Sequence, residues 1–138
     1  MTTREILQKY RKIAVVGLSS DLSRASHGVS QYMQNAGYEI TPVNPNEIEV
    51  LGRKAYASLD AVPGPIEIVD VFRRSDFVPE VVEAAIRRHA KVVWLQLGVL
   101  HDAAAQQARD AGIEVLEDNC ILQEHMKIFG FGRNVFET

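Results

Sequence analysis

The chain has 138 residues, 46% of them hydrophobic and 24% charged, with 15 Lys and Arg against 18 Asp and Glu for a net charge of -3. These proportions predict one globular domain, residues 1–138, that buries about two thirds of its unfolded surface, and they exclude a nucleic-acid binder that relies on a basic excess. With Cys120 as its one cysteine, an intrachain disulfide is excluded as well.

Residues 1–12 carry Arg4, Glu5, Lys9, Arg11 and Lys12 and lack the apolar centre of a signal peptide. The longest mostly apolar run, residues 92–100, is interrupted by Gln96 and has about half the length of a membrane helix. A cytoplasmic protein with no membrane partner is expected. Five short runs rich in β-branched residues then read as buried strands: residues 13–17 (IAVVG), 39–43 (EITPV), 66–72 (IEIVDVF), 92–97 (VVWLQL) and 113–116 (IEVL). After the first comes a helix over 26–36, stopped by Gly37. After the second, residues 47–65 break the rhythm: Gly52 predicts a turn between two short extended pieces, and 58–60 a brief helical turn. After the third, residues 77–90 place Phe77, Val78, Val81, Val82, Ala85 and Ile86 on one helical face, with Ser75 as the expected N-cap and Pro79 in the first turn. An Ala-rich helix over 102–111 ends at Gly112, and residues 120–129 have helical spacing before a tail, 129–133, that is read as packed or fraying. Strands alternating with helices require crossovers, hence a doubly wound α/β domain with a parallel sheet covered on both faces.

In such sheets ligands bind beyond the carboxyl ends of the strands. The first tip offers Gly17, Ser19, Ser20, Arg24 and Ser26, residue types that can surround an anion in front of a helix N-terminus. Alternatively the serines cap the helix and Arg24 is solvated. Against a dinucleotide fingerprint, Ser19 and Leu22 stand where glycines are wanted. The second tip, Val43-Asn44-Pro45-Asn46, lacks the acid for a ribose, Glu47 lying beyond the required place, so NAD is disfavoured. The third tip sets Phe72 beside Arg73 and Arg74, suited to stacking on a base and to phosphate, unless Phe72 is simply buried and both arginines solvated. At the fourth, Gln96 lies in a strand that should be buried, where an unpaired amide costs about 1–3 kcal/mol, so it needs a partner in the site or the backbone. Gly98 would permit close approach of a ligand or strand. Cys120, placed in a first helical turn, is either a reactive thiol or a buried, inert one. His27, His89, His101 and His125 show no metal spacing, and no nucleophile elbow or triad order is present, so no enzyme is expected.

Taken in order, Val16-Gly17-Leu18-Ser19 with Arg24 and Ser26, Gly37-Tyr38 leading to Pro42-Val43-Asn44-Pro45, Asp70-Val71-Phe72-Arg73-Arg74, Val93-Trp94-Leu95-Gln96-Leu97-Gly98, and Cys120 after Asp118-Asn119 resemble the small standalone CoA-binding domain proteins. That family is similar to the CoA-binding domain of succinyl-CoA synthetase α subunits, and the resemblance runs from about Ile6 to Lys127; Asn119 departs from the basic residue of many relatives. It implies a Rossmann-like three-layer α/β domain with a five-stranded, mainly parallel sheet that holds coenzyme A. Gly17, Ser19, Ser20, Arg24 and Ser26 would surround the pyrophosphate. Val43, Asn44 and Pro45 would line the nucleotide end, Phe72 and Arg73 would flank the adenosine or its phosphate, and Gln96 and Gly98 would face the pantetheine. The parent synthetases carry their phosphohistidine in a second domain, which is not expected in this chain. The expected function is therefore noncatalytic binding of coenzyme A or acyl-CoA in a regulatory role. The alternatives are an NAD(H)-binding redox-responsive module and a thiol-redox protein that uses Cys120, while homo-oligomerisation and a protein partner stay open.

Overall fold

The computed structural model describes residues 1–137; Thr138, the last residue of the predicted domain, lies outside them. Helix α1 (Thr3–Lys9) comes first, an element that the charged N-terminal pattern does not predict. A capping box starts it: the Thr2 hydroxyl accepts from the Glu5 N–H, and the Glu5 carboxylate accepts from the Thr2 N–H. The chain continues through β1 (Lys12–Val16), α2 (Ala25–Asn35), β2 (Glu39–Val43), β3 (Glu49–Val50), β4 (Arg53–Lys54), β5 (Ile68–Val71), α3 (Val78–Arg87), β6 (Val92–Leu95), α4 (Asp102–Asp110), β7 (Glu114–Leu116) and α5 (Ile121–Phe129). β3 and β4 form an antiparallel pair around Gly52, and Leu59–Ala61 is a single 3-10 turn, as the breakers of that stretch predict.

The other five strands form one wholly parallel sheet in the order β2-β1-β5-β6-β7. Alternation along each strand divides its apolar residues between two layers. Ala14, Val16, Val69, Val71, Val93 and Leu95 pack under α3 and α4. Ile13, Val15, Ile68, Val92 and Trp94 pack under α1, α2 and α5. This is the expected Rossmann-like three-layer architecture. Gly37 and Gly112 close their helices with φ of 102° and 85°.

Two local readings are corrected. Ser75 does not cap α3: a 3-10 turn (Ser75–Phe77) intervenes, and the Ser75 hydroxyl instead accepts the Leu100 N–H at 2.9 Å, tying the β5 tip to the β6 tip. Cys120 is the N-cap of α5 and not part of its first turn. The C-terminal tail is packed, because the Gly132 N–H donates to the Tyr32 hydroxyl at 2.8 Å and Phe136 meets Tyr38 edge to face. Among the described residues no helix is long and apolar enough to cross a membrane.

Candidate functional site

The chain leaves β1 toward β2 on one side and later returns to place β5 on the other, so strand order reverses between β1 and β5. A crevice forms at such a reversal because the two connections diverge. Here it divides into two clefts that share Gly17, Asn44 and Phe72. Gly17 has a φ of 90°, and a Cβ on it would collide with the Phe72 carbonyl, so only glycine lets the two tips close.

The cleft on the β2 side, about 580 Å³, is lined by Val43, Asn44, Pro45, Phe72 and Arg73 together with Ser58, Leu59, Asp60, Glu80, Glu83 and Arg87. Asp60 and Arg87 pair across it at 2.8 Å. The Arg73 guanidinium lies 3.8 Å from the centroid of the Phe77 ring, which holds it in place by stacking. The cleft on the β6 side, about 480 Å³, is lined by Ser19, Arg24, Ala25, Ser26, Val29, Gln96, Leu97, Val99 and Cys120. Both volumes lie within the range of about 300–1,000 Å³ usual for small-molecule sites.

The first loop is organised from within. The Ser26 hydroxyl, buried at the start of α2, accepts the Ser19 N–H at 3.1 Å, and the Ser19 hydroxyl accepts the Asp21 N–H at 3.0 Å. Glu47 reaches back from beyond β2 to accept the Ser20 N–H at 2.6 Å. The Arg24 carbonyl takes the His27 and Gly28 N–H groups. Among the described residues no protein acceptor meets the Ala25 and Ser26 N–H groups, and both residues line the β6-side cleft. Helix α2 therefore offers two free amides and its positive dipole end to that cleft. Arg24 beside them is largely exposed and only 4.0 Å from Asp21, so its guanidinium is available to an anion.

Eleven of the thirteen candidate residues thus border the two clefts; Ser20 and Gly98 do not line either. Ser20 is turned to Glu47. Gly98 has a φ of 81°, which favours glycine; a Cβ there would meet open space, so no neighbouring strand approaches it closely, and its N–H donates to Asp118 at 2.7 Å. Gln96 has a partner that sequence reasoning missed, Asp70, whose Oδ1 accepts from its Nε2. Burial pushes the Asp70 carboxyl up to about 7, against the opposing pull of the Gln96 hydrogen bond. An aspartate in the middle of the run IEIVDVF was itself the signal for it. Cys120, buried and free, completes the wall next to Gln96.

A family model described as a CoA binding domain matches residues 11–126. The uncharacterized protein YneT of Bacillus subtilis is 49% identical over 122 residues, covering 88% of this chain and 90% of that one. The alpha subunit of acetate–CoA ligase (ADP-forming) I of Pyrococcus furiosus is 30% identical over 131 residues, covering 83% of this chain, which spans only 28% of that subunit. A hypothetical protein from Pyrococcus horikoshii OT3 superposes with a TM-score of 0.90 at 41% identity, covering 93% of this chain and 90% of the other.

Proposed function

Because the chain belongs to the CoA-binding domain family, we propose that it binds coenzyme A or an acyl-CoA in these two clefts and performs no group transfer of its own. The observation that carries this reading is the pair of free α2 amides, Ala25 and Ser26, facing a cleft beside Arg24 at the strand-order reversal. A pyrophosphate placed there would accept two backbone hydrogen bonds and a charge-assisted bond from the guanidinium. The 3′-phosphoadenosine would enter the β2-side cleft, where Phe72 offers a face to the base and Arg73 a cation to the 3′-phosphate, with Asp60, Glu80 and Glu83 left to the ribose and base. The pantetheine arm would run past Gln96 to Cys120 on the β6 side.

In this reading the charged groups of the clefts, Arg73, Arg87, Asp60, Glu80 and Glu83 on one side and Arg24 on the other, serve binding alone. Calorimetric titration with CoA, acetyl-CoA and NADH tests the reading. Saturable binding of CoA that is tighter than that of NADH supports it. No heat with CoA at about millimolar concentration, where even a Kd near 1 mM is measurable, overturns it. Preference for NADH would support the redox-responsive module instead.

A further inference from the structure

We propose that Asp70 is a positioning residue that holds the Gln96 side chain with its Oε1 carbonyl toward the β6-side cleft, where it accepts a hydrogen bond from an amide N–H of the pantetheine arm. This rests on the CoA reading and assigns one contact within it. In the paired strands Asp70 stands opposite Trp94, so alternation puts Gln96 on the same side of the sheet, one step toward the tip. Asp70 is 1% and Gln96 3% exposed, and the Gln96 Nε2 donates to Asp70 Oδ1 at 2.5 Å. An ionised carboxylate only accepts, so it dictates which end of the amide turns toward it. The other end, Oε1, is met by no protein donor among the described residues and is not among the sealed, unpartnered atoms of the interior. It therefore opens onto the cleft that Gln96 lines.

A lone carbonyl oxygen in a cleft selects for donors. Phosphate oxygens are acceptors and gain nothing from it, whereas the secondary amides of pantetheine carry N–H groups that do. The division of labour within one cleft is thus set by polarity: donors at Ala25, Ser26 and Arg24 for the anion, an acceptor at Gln96 for the amide. The Asp70 carboxylate has no contact with the ligand in this scheme and acts through Gln96.

The test is titration of CoA and of adenosine 3′,5′-bisphosphate, which lacks the arm, at about pH 8, where Asp70 is ionised. Gln96→Met keeps the volume and removes the acceptor, and Asp70→Leu frees the amide to rotate. Each is expected to weaken CoA about three- to tenfold, the effect of one hydrogen bond, while bisphosphate affinity stays within about twofold. Asp70→Asn, which retains an acceptor for Nε2, is expected to restore most of the CoA affinity lost in Asp70→Leu. Unchanged CoA affinity in Gln96→Met, or equal weakening of both ligands, overturns the assignment. Should Asp70→Leu fail to fold, Asp70→Val takes its place for the positioning role, and CoA affinity unchanged in the folded Asp70 variant overturns that role. If the unmodified chain binds no CoA, the underlying reading fails too; if it binds CoA and Gln96→Met matches it, only this assignment fails.

Discussion

Gly17 and Phe72 meet at the ends of adjacent strands so closely that the space of one Cβ is taken by the Phe72 carbonyl. The Phe72 N–H in turn donates to the Val16 carbonyl at 2.9 Å, and the Gly17 N–H to the Val43 carbonyl at 2.8 Å. Three strand tips are thereby stitched into one floor. Gly17 and Phe72 line both clefts, so this contact forms part of the floor common to the two.

Gly17→Ala is accordingly expected to damage stability and binding together. A left-handed φ costs a non-glycine residue about 1–2 kcal/mol, and forcing a methyl into the Phe72 carbonyl adds about 1–3 kcal/mol of overpacking. Thermal unfolding should move down by roughly 5–15 °C, and CoA binding should fall even in the folded fraction. A variant with unchanged Tm would mean that the two tips separate without cost.

Arg24→Ala separates binding from stability. Its side chain is exposed and its partner Asp21 lies at 4.0 Å, a geometry worth little to the fold. If the guanidinium meets the pyrophosphate, its loss should weaken CoA by about 1.5–3 kcal/mol, a factor of about 10 to 150, with unaltered Tm. Equal dissociation constants for the two proteins would return Arg24 to the solvent.

Glu47 brings a negative charge to the loop proposed to receive the anion, through the Ser20 N–H. Glu47→Gln keeps an acceptor for that N–H and removes the charge. CoA should bind about two- to fivefold tighter, and the advantage should shrink at high salt, since exposed charges are screened over about 8–10 Å. A gain that persists in about 1 M salt would point to loop rearrangement and not to charge.

How much of this was legible in the sequence depended on the range over which each feature is decided. The strands were readable because burial on both faces demands continuous β-branched runs, and Gly37 and Gly112 were readable because a positive φ at a helix end is a local property, whereas the collision that reserves Gly17 for glycine involves Phe72 on another strand. Helix α1 was hidden by its charges, its true marker being the spacing of Thr2 and Glu5. The roles of Ser75, Ser26 and Glu47 are set by partners 25, 7 and 27 residues away, which no local pattern encodes. The demand of Gln96 for a partner could be deduced from burial alone, but the choice of Asp70 depended on the pairing of β5 with β6.

The same buried pair gives the stability of the protein a definite pH dependence. Asp70 titrates near its ordinary value of 3.8 when unfolded and at about 7 when folded, because burial disfavours the carboxylate. Between those values the folded chain holds a proton that the unfolded chain has released, so stability is greatest below the lower value and is lost as pH rises through the window. The shift corresponds to about 4 kcal/mol at most, reached above pH 7. His125 has the opposite sign: burial lowers its imidazole below 6.5, so its contribution is present above that pH and fades as pH falls. Asp70→Asn removes the first effect and leaves the second, while its amide oxygen still receives Gln96 Nε2. Urea unfolding from about pH 4 to pH 8 should therefore show the two proteins nearly equal at the acid end. The variant should pull ahead steadily to about 4 kcal/mol at the alkaline end. Parallel curves across that range would mean that the unmodified chain folds with Asp70 already freely ionised.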